Sequence, residues 1–486
     1  MSLNRSGAVA ALAGILAMPV QAGTSLDAIA AKLDALIAEN AELKARVAQL
    51  ESTQTQTATA VQEAKESISA VSEASRSANV VRTDHDYSYA MLDPNTWVNR
   101  KEKLLLERRK SGSIPANTVI LSGAVTPIVD IQKSNTEDKF GYLMRHPTAS
   151  NQRTTQASEA VVHSAQLGVT GTMGDWITGY MEMLYNPTQS FGTGTLTDIN
   201  RNQVEMRKGY VILGNLNESP YYAQIGKMDT PFGLMDTVNP FTSNTVWHAF
   251  GGLAYGLNLG YDSYDWDMNF MAIQGGAQFR AHNVPVDRSN VPSKLSNYAV
   301  DVNRTFSFDD ESWLLVGGSY TKGSAYCQGF PVTHFSSCAE ANGAFDVYGQ
   351  YVDGDLTLEA EFAKTTKVWP GTFNPTIPQF EASKVTSFGV GGKYRTHWFD
   401  KPTDLSVEFS RFIAGPNGAP WEKQDQLVFG AATFITPSAK LFGEVIHTAG
   451  FAPLNNISGD GVTAGVTISD RNARSNIILF GANVAF

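Results

Sequence analysis

The chain has 486 residues with a formal charge of −10 at pH 7 and charged residues at only 17 %. The negative balance argues against a nucleic-acid binder, which needs cations to displace phosphate counterions. Two cysteines and eight scattered histidines supply no zinc-type ligand spacing, so neither a metal nor another cofactor is expected.

In chain order, Arg5 and the apolar run "AVAALAGILAM" followed by "PVQA" read as a signal peptide over residues 1–22, cut after Ala22. No later segment is long and apolar enough for a membrane helix. Residues 23–80 then read as an α-helical coiled-coil stalk. Leu26, Ile29, Leu33, Leu36, Asn40, Leu43, Val47 and Leu50 alternate steps of three and four, and the phase runs on through Val61, Ile68 and Val71. Such a seam needs partner helices, and a homotrimer is expected. Residues 81–117 read as a linker carrying a short basic helix, capped near Asn95 and stopped at Gly112. Its cations are expected to meet lipid headgroups or acidic groups at the mouth of the next domain.

Over residues 118–486 the period becomes two. About sixteen strands, from "TVILSGAVTPIVDIQ" to "SNIILFGANVAF", are joined alternately by tight turns ("GD", "SYD", "DGD", "TPS") and long Pro/Gly/Asn-rich loops. Along one strand Leu356, Leu358, Ala360 and Phe362 alternate with Thr357, Glu359 and Glu361. An even strand number with turns on one side and loops on the other predicts a mostly β fold, a transmembrane antiparallel β-barrel. The expected place is the outer membrane of a Gram-negative bacterium, with barrel lipid as partner and the stalk in the periplasm. The last strand alternates Ile478, Phe480, Ala482, Val484 and Phe486. It reads as the closing strand with its apolar face in lipid.

Sixteen strands leave an aqueous lumen. The third long loop, residues 230–252 after Asp229, is expected to fold inward, with Asp229, Asp236, Asn239, Asn244 and His248 at the constriction. Strand parity turns Glu205, Arg207, Glu359, Glu361, Lys393, Arg395, Lys440 and Glu444 into the lumen, together with Glu182, Asp267, Asp301 and Glu408. Cys327 and Cys338, spaced within one long loop of an exported chain, are expected to be joined. No catalytic motif stands in a recognisable context, so the chain is not read as an enzyme.

With its signal peptide, heptad stalk, basic "LLLERRKSGSIPANTVILSG" entry and "GKMDTPFGLMDTVNPFTS" before the third loop, the layout resembles the siderophore porins related to the legiobactin uptake protein. The resemblance implies uptake of a ferric siderophore through a plug-less barrel. The terminal Phe486 resembles the signal read by the barrel assembly machinery. Two other readings share the residues. One is a general or anion-selective porin, since phosphate-type porins carry similar "G-[KR]-x-x-T-x-F-G" wording. The other is a coiled-coil envelope tether anchored by a barrel.

Overall fold

A computed structural model describes residues 37–38, 41–50, 80–93, 101–137, 139–140, 154–187, 202–278, 284–328, 337–372, 382–452, 467 and 469–486. The signal peptide and most of the heptad segment lie outside these residues. The chain divides into two units, Met1–Ala74 and Ser75–Phe486. In the first, residues 41–50 are helical, and Leu43, Val47 and Leu50 of the heptad seam are exposed on it.

The second unit opens with a short strand β1 (Val80–Thr83) and two helices, α1 (His85–Leu92) and α2 (Lys101–Lys110). Asp84 caps α1 by accepting the Tyr87 N–H at 3.0 Å. Gly112, at φ +76°, follows α2 in the left-handed conformation that ends helices. The expected stop is therefore found, while the expected cap near Asn95 lies outside the described residues.

Sixteen barrel strands follow. They are β2 (Thr118–Ser134), β3 (Gln156–Met173), β4 (Ile177–Pro187), β5 (Asn202–Gly214), β6 (Tyr221–Asp229), β7 (Leu253–Asp262), β8 (Trp266–Gln278) and β9 (Leu295–Ser307). The second half holds β10 (Ser312–Thr321), β11 (Ala344–Asp353), β12 (Leu356–Thr365), β13 (Thr386–Trp398), β14 (Lys401–Ile413), β15 (Lys423–Thr436), β16 (Ala439–Phe451) and β17 (Asp470–Ala485). Each pairs antiparallel with its neighbour, and β17 closes on β2 through Ser475↔Ser134 to Ala485↔Ala124. Closure leaves no lipid-exposed edge, the condition for spanning a bilayer with strands. β1 pairs in parallel with the start of β2, Val80↔Thr118 to Thr83↔Leu121, on the stretch of edge that β17 does not reach. Phe486 exchanges two backbone hydrogen bonds with Gly123 at 2.7 and 2.8 Å. A Cβ at position 123 would stand 2.4 Å from the Phe486 ring, so a larger residue there forces that ring aside.

The outward positions form an apolar belt, with Val129, Ile131, Ile225, Leu259, Val347, Val390, Phe429, Val445 and Phe480 all at least half exposed to the surroundings. At the short-turn end it is edged by Trp176, Tyr221, Tyr264, Trp398 and Phe399, the aromatic girdle of a membrane boundary. Phe399 and Asp400 both take positive φ, 49° and 57°, which closes the β13–β14 hairpin in two residues. Cys327 and Cys338 are bonded, with Cα atoms 5.3 Å apart, in the loop after β10.

A candidate constriction built from two inserts

Loop 230–252 leaves β6 and lies against the inner wall. Gly233 (φ 74°) and Met235 (φ 54°) turn its backbone so that successive amides face outward from the loop. Glu361 Oε1 on β12 accepts the Leu234 and Met235 N–H groups at 2.6 and 3.1 Å, a backbone nest around a carboxylate. Two strands on, Glu408 of β14 accepts the Thr237 hydroxyl at 3.0 Å and the Asn239 amide at 2.9 Å. Two strands further, Glu444 of β16 accepts the Phe241 and Thr242 N–H groups, each at 2.9 Å. Inward carboxylates on alternate strands thus hold the loop like rungs.

Glycines stand beside the rungs in register: Gly389 by Glu361, Gly391 by Glu408 and Gly430 by Glu444. A Cβ at 391 would come within 2.6 Å of Val238, and one at 430 within 2.5 Å of Pro240. Glycine here lets the loop reach its carboxylates. Phe241 fills an apolar seat of Ile128, Val428, Phe442, Ile446 and Leu479, stacked on Phe442 at 5.2 Å. Helix α3 (Thr245–Phe250) ends the insert, its N-cap Asn244 accepting the Trp247 N–H at 2.9 Å.

The second insert enters from the short-turn end. Tyr87, Met91, Leu92, Leu105, Leu106 and Ile114 share one buried core with Ile120, Tyr180, Tyr210, Ile212, Tyr222 and Met271, which are inward residues of the wall. Tyr87 and Thr170 hydroxyls meet at 2.5 Å. Arg109 donates to the carbonyls of Gly174 and Ile177 at 2.7 and 2.9 Å. Lys103 pairs with Asp262 and Asp267, each at 3.4 Å, and Asp93 with Lys440 at 3.4 Å. Asp267 is on β8 and Lys440 on β16, eight strands apart in a ring of sixteen, so the insert is tied to opposite walls. Its cations meet acidic wall groups, one of the two expected partners. Buried Lys101 donates to the carbonyls of Ala90 and Asp93, clasping the end of α1. Desolvation lowers the Lys101 amine to about 8 and raises the neighbouring Glu102 carboxyl to about 8.

The expectation of a plug-less barrel is therefore corrected. Of the described residues, 84–93 and 101–114 pack into the lumen because inward Ile120, Tyr180, Tyr210 and Ile212 form an apolar patch that water would leave unsatisfied. That patch was the available signal: lumen-parity positions of a water-filled barrel are normally polar.

Each expected site residue has a definite place. Asp229 pairs with Lys208, and Asp236 is buried in the loop at 6 % exposure, its carbonyl accepting the Asn244 amide at 3.0 Å. Asn239 and Asn244 hold the loop, and His248 stands edge-on to Trp247 at 5.1 Å. On the wall, Glu359 accepts Gln350 at 2.6 Å, while Glu361 and Glu444 anchor the loop. Arg207 pairs with Glu182 at 3.2 Å and Arg395 with Asp404 at 2.8 Å. Lys393 and Glu205 are half-buried on inward positions. Sequence parity missed Lys208, because a β-bulge between Glu182 and Met183 pairs Glu182 with Lys208 and Met183 with Met206. The bulge turns two consecutive residues, Arg207 and Lys208, inward.

A closed sixteen-stranded antiparallel barrel with a lipid-facing belt and an inward-folded third loop is the fold of an outer-membrane barrel of the porin type, as found in Gram-negative bacteria. Among the described residues no group of three or more His, Cys, Asp or Glu converges to hold a metal ion. No family model matches the chain. It is 24 % identical over 238 residues to the "UPF0422 protein" of Coxiella burnetii, covering 48 % of this chain and 47 % of that protein. The chain thus spans about half the length of the curated relative it matches. Among solved structures it is similar to an anion-selective porin from Comamonas acidovorans (12 % identity, 76 % of this chain and 99 % of that one, TM-score 0.46). It is similar also to the outer-membrane channel DcaP of Acinetobacter baumannii (13 % identity, 76 % and 97 %, TM-score 0.46).

Proposed function

We infer that this protein is a passive channel for small hydrophilic solutes, of the general-porin kind, constricted by loop 230–252 and stoppered from the periplasmic side by α1, α2 and the turn to Ile114. The observation that carries this reading is the set of rungs Glu361, Glu408 and Glu444, which hold the loop inside a polar lumen. Asp229, Asp236, Asn239, Asn244 and His248 define the narrow region, and Lys393 is the wall cation that meets a passing ion. Uptake of a ferric siderophore is the more demanding reading, since a cargo of that size requires α1 and α2 to leave their seat. It is supported by the layout of the sequence alone.

The exposed Leu43, Val47 and Leu50 of the helical segment support self-association through the heptads of residues 23–80, as a trimer with the stalk in the periplasm. Phe486 serves barrel assembly as its aromatic terminal signal. Planar-bilayer conductance and liposome uptake of a panel of sugars, phosphate and ferric siderophores test the channel reading. Uptake of sugars and phosphate is expected, and uptake restricted to ferric siderophores overturns the general-porin assignment. Light scattering of the detergent-solubilised protein tests the trimer, which a monomer mass refutes.

A further inference from the structure

The outer surface of the barrel is not uniform at its long-loop end. From β7 to β11 the outward residues there include Tyr255, Tyr298, Tyr320 and Phe345. From β12 round to β2 they include five cations, Lys364, Arg411, Lys423, Arg474 and Lys133. Arg411 of β14 stands in register beside Phe388 of β13 and Asp425 of β15, and Asp425 is followed by Ala449 of β16 and Arg474 of β17. Asn476 of β17 is beside Lys133 of β2. Lys364 on β12 shares the outward parity of Leu358 and Phe362, and Lys423 on β15 that of Phe429. Asp425 is held by Arg411 at 2.6 Å and lies 3.8 Å from Lys423. Among the described residues of this row, five cations stand against one carboxylate, a surplus of four.

The height of the row matters as much as its charge. Outward residues of β2 run from Leu121 to Ile131, both exposed. Ten residues at about 3.4 Å each, tilted by roughly 40°, rise about 26 Å, the height of an outer-membrane apolar band. Lys133, exposed two residues beyond Ile131, therefore stands at headgroup level. The opposite rim has the other sign. Asp175, Glu218, Asp309, Asp310, Glu311, Asp353, Asp355 and Asp400 crowd the short-turn end, where Arg304 is paired with Asp265 at 3.6 Å. A surplus of positive charge on the lipid-facing side of one rim only fits a leaflet whose headgroups carry phosphate.

We propose that the outward face of β12–β17 and β2, at the long-loop boundary, binds a phosphorylated glycolipid of the outer leaflet. Six strand spacings of about 4.8 Å make the row roughly 29 Å wide, broad enough for a headgroup bearing two phosphates. Phe388 and Phe409, whose rings lie 6.0 and 5.6 Å from the Arg411 guanidinium, hold that cation at the level where acyl chains begin.

The test uses the full-length protein in detergent with bis-phosphorylated lipid A as probe, bound lipid being read by native mass spectrometry. Lys133→Gln combined with Arg474→Gln is expected to weaken binding on the order of tenfold. Lys364→Gln weakens it less, and Lys401→Gln at the other rim leaves it unchanged. Heat-dependent gel mobility checks that each variant is folded, and the single Lys364→Gln variant carries the test if the double one is not. Dephosphorylated lipid A is expected to bind more weakly than the probe. Equal binding of the two lipids, or unchanged binding by the row variants, overturns the proposal. A row variant that alters oligomer mass while retaining lipid makes this face a contact between copies of the chain, and also overturns it.

Discussion

The two inserts share one lumen and are held by opposite kinds of force. Loop 230–252 is fastened chiefly by hydrogen bonds to the carboxyl groups of Glu361, Glu408 and Glu444. Helices α1 and α2 and Ile114 are fastened chiefly by an apolar core, in which Leu105 is 0 % and Tyr87 1 % exposed. A carboxylate rung is directional, and its loss strands buried amides at about 1–3 kcal/mol each. An apolar seat is non-directional and worth about 1.5–3 kcal/mol per large side chain. The loop is therefore positioned sharply, while the stopper is held strongly.

The most drastic way to break this comparison is to remove room for the loop. Gly391→Val and Gly430→Val together put side chains where Val238 and Pro240 lie. They are expected to expel the loop, raising single-channel conductance several-fold and exposing Phe232, Phe241 and Trp247 of residues 230–252 to chymotrypsin. An unchanged conductance would mean that the loop does not set the constriction. Glu361→Ala should act next most strongly, leaving the Leu234 and Met235 amides without their acceptor and costing about 2–6 kcal/mol of loop docking. Its signature is noisy, flickering current.

On the stopper side, Leu105→Ala opens a cavity costing about 2–5 kcal/mol. It is expected to raise the open fraction of channels without altering the conductance of those already open, a separation that single-channel recording resolves. Titration sharpens the contrast. Glu102, raised to about 8 by burial, holds more protons folded than unfolded, so its contribution to stopper stability is lost as pH rises from about 4.5 to about 8. Lys101, lowered to about 8, does the reverse: its contribution is lost as pH falls from about 10.5 to about 8. The stopper is thus weakest near pH 8. Protease accessibility of residues 80–114 should peak there, Glu102→Gln should flatten the acid limb, and Lys101→Met the alkaline one. A monotonic profile in the parent contradicts this.

The smallest effect concerns selectivity. Lys393 is half-buried on an inward position, in register with Thr357 and Ser406. Lys393→Ala is expected to move the reversal potential in a salt gradient towards cations by a few millivolts, since the lumen is wet and screens well. Val484→Ser on the lipid face should leave it unmoved.

How much was legible beforehand divides along the same line. Alternation alone puts Glu361 and Glu444 on inward positions, and likewise Arg207, Lys393, Arg395 and Lys440. Their partners could not. Glu361 meets amides 126 and 127 residues away, and Lys440 meets Asp93 across 347. Asn239 and Asn244, read as groups facing a solute, turn out to be bonded within the insert and to its wall. Polar side chains on a buried loop must first satisfy the loop's own donors and acceptors.

Strand number, strand faces, the alternation of turns and loops and the cysteine pair followed from the sequence by itself. The reason is that a pleated strand repeats every two residues and a tight turn demands particular residues at particular places, so each is encoded within a few neighbours. What fills the lumen was decided only by the tertiary structure. A helix such as α2, with Leu104–Leu106 among seven charged residues, carries no local mark of its destination. Its place is set by inward Ile120, Tyr180, Tyr210, Tyr222 and Met271, gathered from β2, β4, β5, β6 and β8 only when the strands pair around the barrel.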